Sequence, residues 1–97
     1  MLKIIYFIDY TPSSGNGHLS RCLAFNKIFP KESKIHFVTK KPIPYKKKIM
    51  NYIHPPEVFL KINKQKYDYG IIDSYQITHN TEKKIKKICK TLVTIDD

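Results

Sequence analysis

The start of the chain has the pattern of a strand, a glycine-containing turn and a helix, and this unit constrains the fold more than any other segment. The run Leu2–Ile8 is apolar and rich in isoleucine, as is typical of a buried strand, and residues 9–14 are turn formers or small polar residues. Apolar residues then recur at the three- or four-residue spacing of an amphipathic helix packed on a sheet, at Leu19, Cys22, Leu23, Phe25 and Ile28. The turn therefore places its glycines at the amino terminus of a helix.

The turn and the first helical residues read Gly15-Asn16-Gly17-His18-Leu19-Ser20-Arg21. A helix amino terminus has unpaired backbone N–H groups and the positive end of the helix dipole, and glycine lets a ligand approach the backbone closely. We therefore predict a phosphate or diphosphate ligand, with Gly15, Asn16 and Gly17 among the substrate-binding residues.

Two common phosphate-binding motifs do not fit this turn. A dinucleotide fingerprint needs a third glycine where Ser20 stands, and an acidic residue for the ribose in the region that Thr39 and Lys40 occupy. The Gly-Lys-Ser/Thr string of a P-loop does not occur in the chain. The sequence therefore argues against an NAD-binding protein and against a P-loop nucleotidase.

His18 directly follows the second glycine, where the helix dipole favours the neutral imidazole. A neutral imidazole beside a bound phosphate can act as a general base. Alternatively, His18 caps the helix or binds phosphate through one N–H group. The spacing alone gives these interpretations equal weight.

Arg21 is the only arginine among 18 basic residues. Its planar guanidinium can hold a carboxylate or a phosphate with two parallel hydrogen bonds, which lysine cannot do. Arg21 is therefore a candidate substrate-binding residue. The alternatives are a solvated position on the helix, or a structural ion pair with Asp9 or Asp73.

Charge and cysteine content limit the other classes of function. The formal net charge is +10, but the lysines lie in short clusters without the interleaved arginine and aromatic residues of nucleic-acid-binding surfaces. Cys22 and Cys89 form no C-x-x-C pair and fall on apolar helix positions, which predicts buried, reduced, non-catalytic thiols in a cytoplasmic protein. The first apolar run is too short to span a membrane. We expect no nucleic-acid partner, no membrane segment, no metal and no cofactor.

The rest of the chain continues the alternation of strand and helix. The predicted elements are a strand at Lys34–Thr39, a short helix at Tyr45–Ile53 stopped by Pro55-Pro56, a strand at Glu57–Leu60, a strand at Tyr69–Asp73, a helix at Thr81–Lys90 and a strand at Thr91–Ile95. This order predicts an α/β, Rossmann-like parallel sheet with helices on both faces and a ligand site beyond the carboxyl ends of the strands. The chain stops after the fifth predicted strand with no closing helix, so we expect residues 1–97 to be part of a larger domain.

Several of these segments together resemble a known family. Asp9 is followed by Gly15-Asn16-Gly17-His18 and then Arg21-Cys22-Leu23, and later by Ile71-Ile72-Asp73-Ser74-Tyr75-Gln76-Ile77 and Ile95-Asp96-Asp97. In this order they resemble the amino-terminal part of the UDP-sugar hydrolases of pseudaminic acid biosynthesis, which belong to the glycosyltransferase-like GT-B superfamily. The chain departs from that family at Phe7, where members usually carry arginine.

The resemblance implies two Rossmann-like domains, the second of which holds most of the uridine diphosphate and lies outside this chain. It implies metal-independent, inverting hydrolysis of UDP-2,4-diacetamido-2,4,6-trideoxy-β-L-altropyranose to the free sugar and UDP. His18 matches the general base of that family, and Tyr75 matches a tyrosine that helps to place substrate or water. Asp73, together with Asp9, is expected to orient Arg21 or the surrounding loops. The isolated chain is expected to be nearly inactive unless a second chain supplies the missing domain.

Two other functions remain open at the level of sequence. One is a glycosyltransferase of the same architecture that uses a UDP-sugar, which an apolar membrane-association patch would favour. The other is a basic domain without enzymatic activity, or an inactive fragment, which failure to bind any UDP-sugar would favour.

Overall fold

The computed structural model describes residues 1–10, 17–44 and 48–95, and in these residues five strands alternate with helices over most of the chain. The elements in order are β1 (Lys3–Ile8), α1 (Gly17–Phe25) with a following 3-10 turn (Asn26–Ile28), β2 (Lys34–Thr39), β3 (Ile49–Ile53), α2 (Pro56–Ile62), β4 (Tyr67–Asp73), α3 (His79–Ile88) and β5 (Cys89–Thr94).

The five strands form one parallel sheet in the order β3-β2-β1-β4-β5. The chain builds outward from β1 in one direction through β2 and β3, and then in the other through β4 and β5. This is the order of a Rossmann-like sheet, in which ligands bind where the direction changes, beyond the carboxyl ends of the strands. The topology confirms the predicted α/β fold and locates the change of direction between β1 and β4.

The two faces of the sheet carry separate apolar clusters because alternate residues of each strand point to opposite faces. Ile4, Tyr6 and Ile8 of β1 pack with Leu19 and Cys22 of α1 on one face. On the other face Ile5 and Phe7 pack in one cluster with side chains of α2 and α3, namely Phe59 and Ile85. Helices therefore cover both faces, as the sequence predicts.

The segment around Pro55-Pro56 differs from the sequence prediction in two elements. The helix predicted over Tyr45–Ile53 is wrong, because Ile49–Ile53 is strand β3 and pairs in parallel with β2. The strand predicted over Glu57–Leu60 is also wrong, because these residues belong to α2. Pro56 occupies the first turn of α2, where its missing N–H group costs nothing and its fixed φ favours the helix, so the proline pair starts a helix instead of ending one.

Two smaller corrections concern helix ends. Cys89 is buried as predicted, but it begins β5 instead of lying on a helix, because α3 passes into β5 without a loop. Ile28 was expected on the buried face of the first helix and is 69% exposed, because the α-helix ends at Phe25 and a 3-10 turn changes the direction of its side chain.

The structure tests the remaining predictions about the whole chain only in part. Among residues 1–10, 17–44 and 48–95, no helix combines the length and apolarity that a membrane span requires. Membership of a larger two-domain architecture stays a prediction. Asp96 and Asp97, the last of the residues that carry the family resemblance, fall outside the described residues.

Candidate functional site

Three of the predicted site residues meet at the change of direction between β1 and β4. His18 and Arg21 lie three residues apart on α1, so their side chains share one face of that helix. Asp73 is the last residue of β4, which pairs directly with β1. The parallel pairing of β1 with β4 therefore brings the start of α1 to the end of β4.

Asp73 is the centre of this cluster and is only 2% exposed. His18 Nδ1 lies 2.7 Å from Asp73 Oδ1. Arg21 donates from Nε to Oδ2 at 2.8 Å and from Nη2 to Oδ1 at 2.7 Å, so guanidinium and carboxylate form a two-pronged pair. The sequence analysis gave a structural ion pair with Asp73 as one alternative for Arg21, and the structure contains this pair. Direct binding of substrate by Arg21 stays a prediction.

Asp73 is held in its charged form. Burial alone would raise its pKa, but the hydrogen bonds from Arg21 and His18 and the electrostatic attraction of these two side chains outweigh this effect, and the pKa lies below its ordinary value. Cys22 Sγ lies 3.9 Å from Asp73 Oδ2, and burial followed by the charge of Asp73 raises the pKa of the Cys22 thiol to about 12. Cys22 is therefore a protonated, buried thiol that donates to the carboxylate, in agreement with its predicted structural role.

The contact with Asp73 decides which nitrogen of His18 can work as a base. A charged carboxylate at 2.7 Å only accepts, so Nδ1 carries the hydrogen and donates it. In the neutral ring Nε2 then has the lone pair. The buried Asp73 carboxylate therefore fixes the orientation of the His18 ring through Nδ1, and Nε2 is the nitrogen that can accept a proton.

Asp9 organises the loop that follows β4. Its carboxylate accepts hydrogen bonds from the Ser74 hydroxyl and from the backbone N–H of Tyr75, the latter at 2.8 Å. The Tyr75 ring meets the His18 ring edge to face, with 5.6 Å between the centroids. Asp9 therefore has the loop-orienting arrangement expected of it, and Tyr75 lies next to the candidate base.

The glycine turn is described only at its end. Gly15 and Asn16, both predicted to bind substrate, lie outside the described residues. Gly17 is the exposed first residue of α1, and an added Cβ would meet nothing within 4 Å. A ligand could therefore reach the backbone at Gly17 without displacing described protein atoms.

A cleft of about 430 Å³ lies at the carboxyl edge of the sheet next to Asp9 and Ser74, and the sequence analysis did not predict it. Asp9 and Ser74 line it, together with residues from the ends of β2 and β3 and the start of α2, namely Thr39, Lys40, His54, Pro55, Pro56 and Glu57. His54 directly follows β3. The sequence analysis predicted a helix over residues 45–53, and a residue after a helix is not expected at the carboxyl edge of the sheet. For this reason it did not identify His54.

Phe7, the departure from the family pattern, is fully buried and lines this cleft. Its ring meets the Phe59 ring of α2 edge to face, with 5.8 Å between the centroids. An aromatic side chain at this position thus contributes to the core and gives the cleft an apolar wall.

No metal site is found in the part of the chain that the structure describes, since no three His, Cys, Asp or Glu side chains there cluster closely enough to hold an ion. Comparisons of the chain with models of protein families, with curated proteins and with solved structures find no match. The assignment of a function therefore depends on the geometry of the site and on the resemblance of its sequence motifs.

Proposed function

We propose that this chain is the amino-terminal, Rossmann-like part of a UDP-sugar hydrolase, with His18 as the general base. The observation that carries the proposal is the 2.7 Å contact between His18 Nδ1 and Asp73 Oδ1 at the change of direction in the sheet. It gives the histidine a fixed orientation at the edge where Rossmann-like sheets bind ligands. The order of motifs from Asp9 to Asp97 supplies the class of substrate.

The proposed reaction is the attack of water on the anomeric carbon of a UDP-linked diacetamido-trideoxy sugar. Nε2 of His18 takes a proton from water as the water oxygen bonds to the anomeric carbon. The bond from that carbon to the diphosphate oxygen breaks, UDP leaves, and the configuration inverts. Asp73 keeps the imidazole oriented and stabilises the imidazolium that forms, as the third member of a catalytic triad does.

The other residues have positioning roles in this proposal. Arg21 holds Asp73 in its charged form, and Gly17, with Gly15 and Asn16, approaches the diphosphate. Tyr75, packed against the His18 ring, helps to place the sugar or the attacking water. A second domain, encoded in the same open reading frame or in a partner chain, binds the uridine, and the reaction uses no metal and no nucleic acid. The protein works in the cytoplasm, where Cys22 and Cys89 stay reduced.

The test measures UDP release from UDP-2,4-diacetamido-2,4,6-trideoxy-β-L-altropyranose by the product of the whole open reading frame, with any separately encoded nucleotide-binding chain added. A general base contributes about 10² to 10⁴ in rate, so His18→Ala is expected to lower kcat by that factor. His79→Ala is the matched control, because His79 is an exposed histidine on α3 that lies outside the cluster.

The other outcomes separate the alternative functions. Release of UDP only after addition of a sugar acceptor would favour a glycosyltransferase. Absence of both release and binding of UDP-sugars would favour a non-enzymatic protein. Release that His18→Ala leaves unchanged would remove His18 as the base.

A further inference from the structure

Two adjoining clefts lie at the amino-terminal ends of β2 and β3, at the opposite end of the sheet from the His18 cluster. Their volumes are about 470 and 540 Å³, within the range of about 300–1,000 Å³ that is typical of ligand pockets. Lys31, Ser33, Ile35 and Lys48 line both clefts, which therefore form one continuous surface, called here the amino-edge site. Because β2 has six residues at about 3.3 Å each, the length of a strand separates this site from the carboxyl edge of the sheet.

The charged side chains of the amino-edge site are mostly lysines. Lys31, Lys34 and Lys48 line the first cleft, and Lys27 lines the second. Glu32 is the only acidic residue among the described residues that line the site. None of these five side chains forms an ion pair with a described residue. The lysine charges are therefore not neutralised within the described part of the chain, and they favour an anion with more than one negative charge.

Lys48 has an unusual backbone conformation for a lysine. Its φ is 60°, in the left-handed region that glycine and asparagine adopt with less strain. Lys48 directly precedes β3, and it lines both clefts. Strained backbone of this kind is concentrated at sites that hold ligands. The chain thus has an ammonium group at a position where an uncharged asparagine would suit the backbone better.

Ser33 supplies a polar group without a partner. Its side-chain oxygen is buried and makes no hydrogen bond with the described residues, although Ser33 lines both clefts. Buried hydroxyl groups are normally paired, because an unpaired one loses its hydrogen bonds to water without replacement. A hydroxyl can donate to a phosphate oxygen, and rotation of the Ser33 side chain toward the cleft would form that bond.

The second cleft adds apolar surface next to the lysines. Leu23 of α1, Phe29 and Pro30 before β2, and Ile49 of β3 line it. Removal of apolar ligand surface from water is favourable in proportion to its area. The amino-edge site therefore suits an anion that also has an apolar part.

A phosphate monoester fits the charges better than a carboxylate. It carries about −1.5 to −2 charges at pH 7 and three acceptor oxygens. Lysine binds phosphate as a point charge, whereas a carboxylate is matched by the forked guanidinium of arginine. No arginine is among the described residues that line the site.

We propose that the amino-edge site binds a small phosphate monoester whose organic part is apolar. The phosphate group contacts the ammonium groups of Lys31, Lys34 and Lys48, and the apolar part contacts Phe29 and Ile49. This ligand site lies at the other end of the sheet from the proposed catalytic site, so its occupancy does not depend on the proposed function.

The first experiment locates the site and tests both parts of the ligand. Proton–nitrogen correlation NMR spectra of the protein are recorded during titration with phenyl phosphate, inorganic phosphate and phenol at constant ionic strength, because salt screens contacts between charges. We expect phenyl phosphate to cause saturable shifts of the backbone amides of Ser33, Lys34 and Lys48. Its Kd should be lower than that of inorganic phosphate by about threefold or more, because the ring buries apolar surface. Phenol should cause no saturable shift of these amides.

Three variants test the charges of the site. Lys48→Asn removes an ammonium group and suits the left-handed φ, so the Kd for phenyl phosphate is expected to rise about threefold or more without loss of stability in urea denaturation. Glu32→Gln should lower the Kd by about twofold, since it removes a negative charge from the site. Lys83→Asn is the matched control, because it removes the same charge as Lys48→Asn from an exposed position of α3 outside the site, and it should leave the Kd unchanged.

Three results would overturn the proposal. Shifts confined to amides near Gly17 and His18 would place the phosphate at the start of α1 instead. Equal weakening by Lys48→Asn and Lys83→Asn would show that only the net charge of the chain attracts the anion. Co-sedimentation with phosphatidylcholine vesicles that contain phosphatidic acid, without binding of phenyl phosphate, would identify a lipid headgroup as the ligand in place of a small monoester.

Discussion

Asp73 combines deep burial with a full negative charge, and this combination depends on two side chains from α1. Arg21 and His18 donate to it at 2.7–2.8 Å. Asp73→Asn keeps the shape of the side chain but removes the charge that both donors need. Hydrogen bonds to charged groups contribute about 1.5–3 kcal/mol each, so we expect the free energy of unfolding at neutral pH to fall by about 2–3 kcal/mol, measured by urea denaturation.

A matched control makes the same chemical change at an exposed position. Glu32 lies in an exposed turn and has no hydrogen-bonded side-chain partner among the described residues. Glu32→Gln is therefore expected to leave the free energy of unfolding within about 0.5 kcal/mol of the native value. Equal stability of Asp73→Asn and Glu32→Gln would contradict the structural importance of the cluster.

The sequence could predict the members of this cluster but could not choose among their contacts. The positions of His18, Arg21 and Asp73 after apolar runs place them at one edge of a parallel sheet. Whether Arg21 pairs with Asp73 or with Asp9 depends on which sheet face each carboxylate points to. That direction follows from the side-chain alternation in β1 and β4, whose register only the three-dimensional structure shows.

At the scale of elements, the close packing of β4 against β5 depends on Gly70. A Cβ added at this position would lie 2.5 Å from Cys89 Sγ and 3.1 Å from Leu92 Cδ1. Gly70→Ala therefore overfills the space next to Cys89 and is expected to cost about 1–3 kcal/mol of unfolding free energy. The measurement is urea denaturation of the native protein and the variant.

A double-mutant cycle identifies the contact with Cys89 as the cause. If the added methyl group clashes with the sulfur, Cys89→Ala should offset part of the loss in the double variant, and the two changes should not be additive. Gly17→Ala is the matched control, because an added Cβ there meets nothing within 4 Å. Additive losses from Gly70→Ala and Cys89→Ala would exclude this clash.

The elements that the sequence predicted correctly have an unambiguous hydrophobic pattern, whereas the two wrong ones do not. Strands β1, β2 and β4 and helices α1 and α3 were all identified from their apolar spacing. For Ile49–Ile53 and Pro56–Ile62 the local pattern fits either structure. Ile49–Ile53 is a strand because it pairs with β2. Pro56–Ile62 is a helix, and Pro56 in its first turn favours that structure.

At the scale of the whole molecule, two buried groups make stability depend on pH in separate ranges. Burial, and then the positive charges of Lys3 and Lys34, lower the pKa of His36 below 6.5, and its Nδ1 lies 2.8 Å from the Tyr67 hydroxyl. The pKa of Asp73 lies below 3.8. Both groups therefore bind protons more readily in the unfolded chain than in the folded one.

The sign of the effect is the same for both groups, because acidification favours the state that binds more protons. The free energy of unfolding is expected to fall as the pH drops below about 6.5, through His36, and to fall again below about 3.8, through Asp73. Urea denaturation at a series of pH values from about 7.5 to 3 measures both steps. His36→Gln should flatten the upper range alone, since glutamine does not titrate.

Asp73→Asn should reduce the slope of the lower range without abolishing it. Asp68 also has a lowered pKa, chiefly because its carboxylate accepts a hydrogen bond from the backbone N–H of Lys3, and it continues to titrate there. If His36→Gln keeps the native slope between about pH 7.5 and 5, His36 is not the group that destabilises the acidified chain. If His36→Gln changes only the upper pH range and Asp73→Asn only the lower one, each range reports the titration of a separate buried group. His36 lies toward the start of β2, and Asp73 lies at the end of β4.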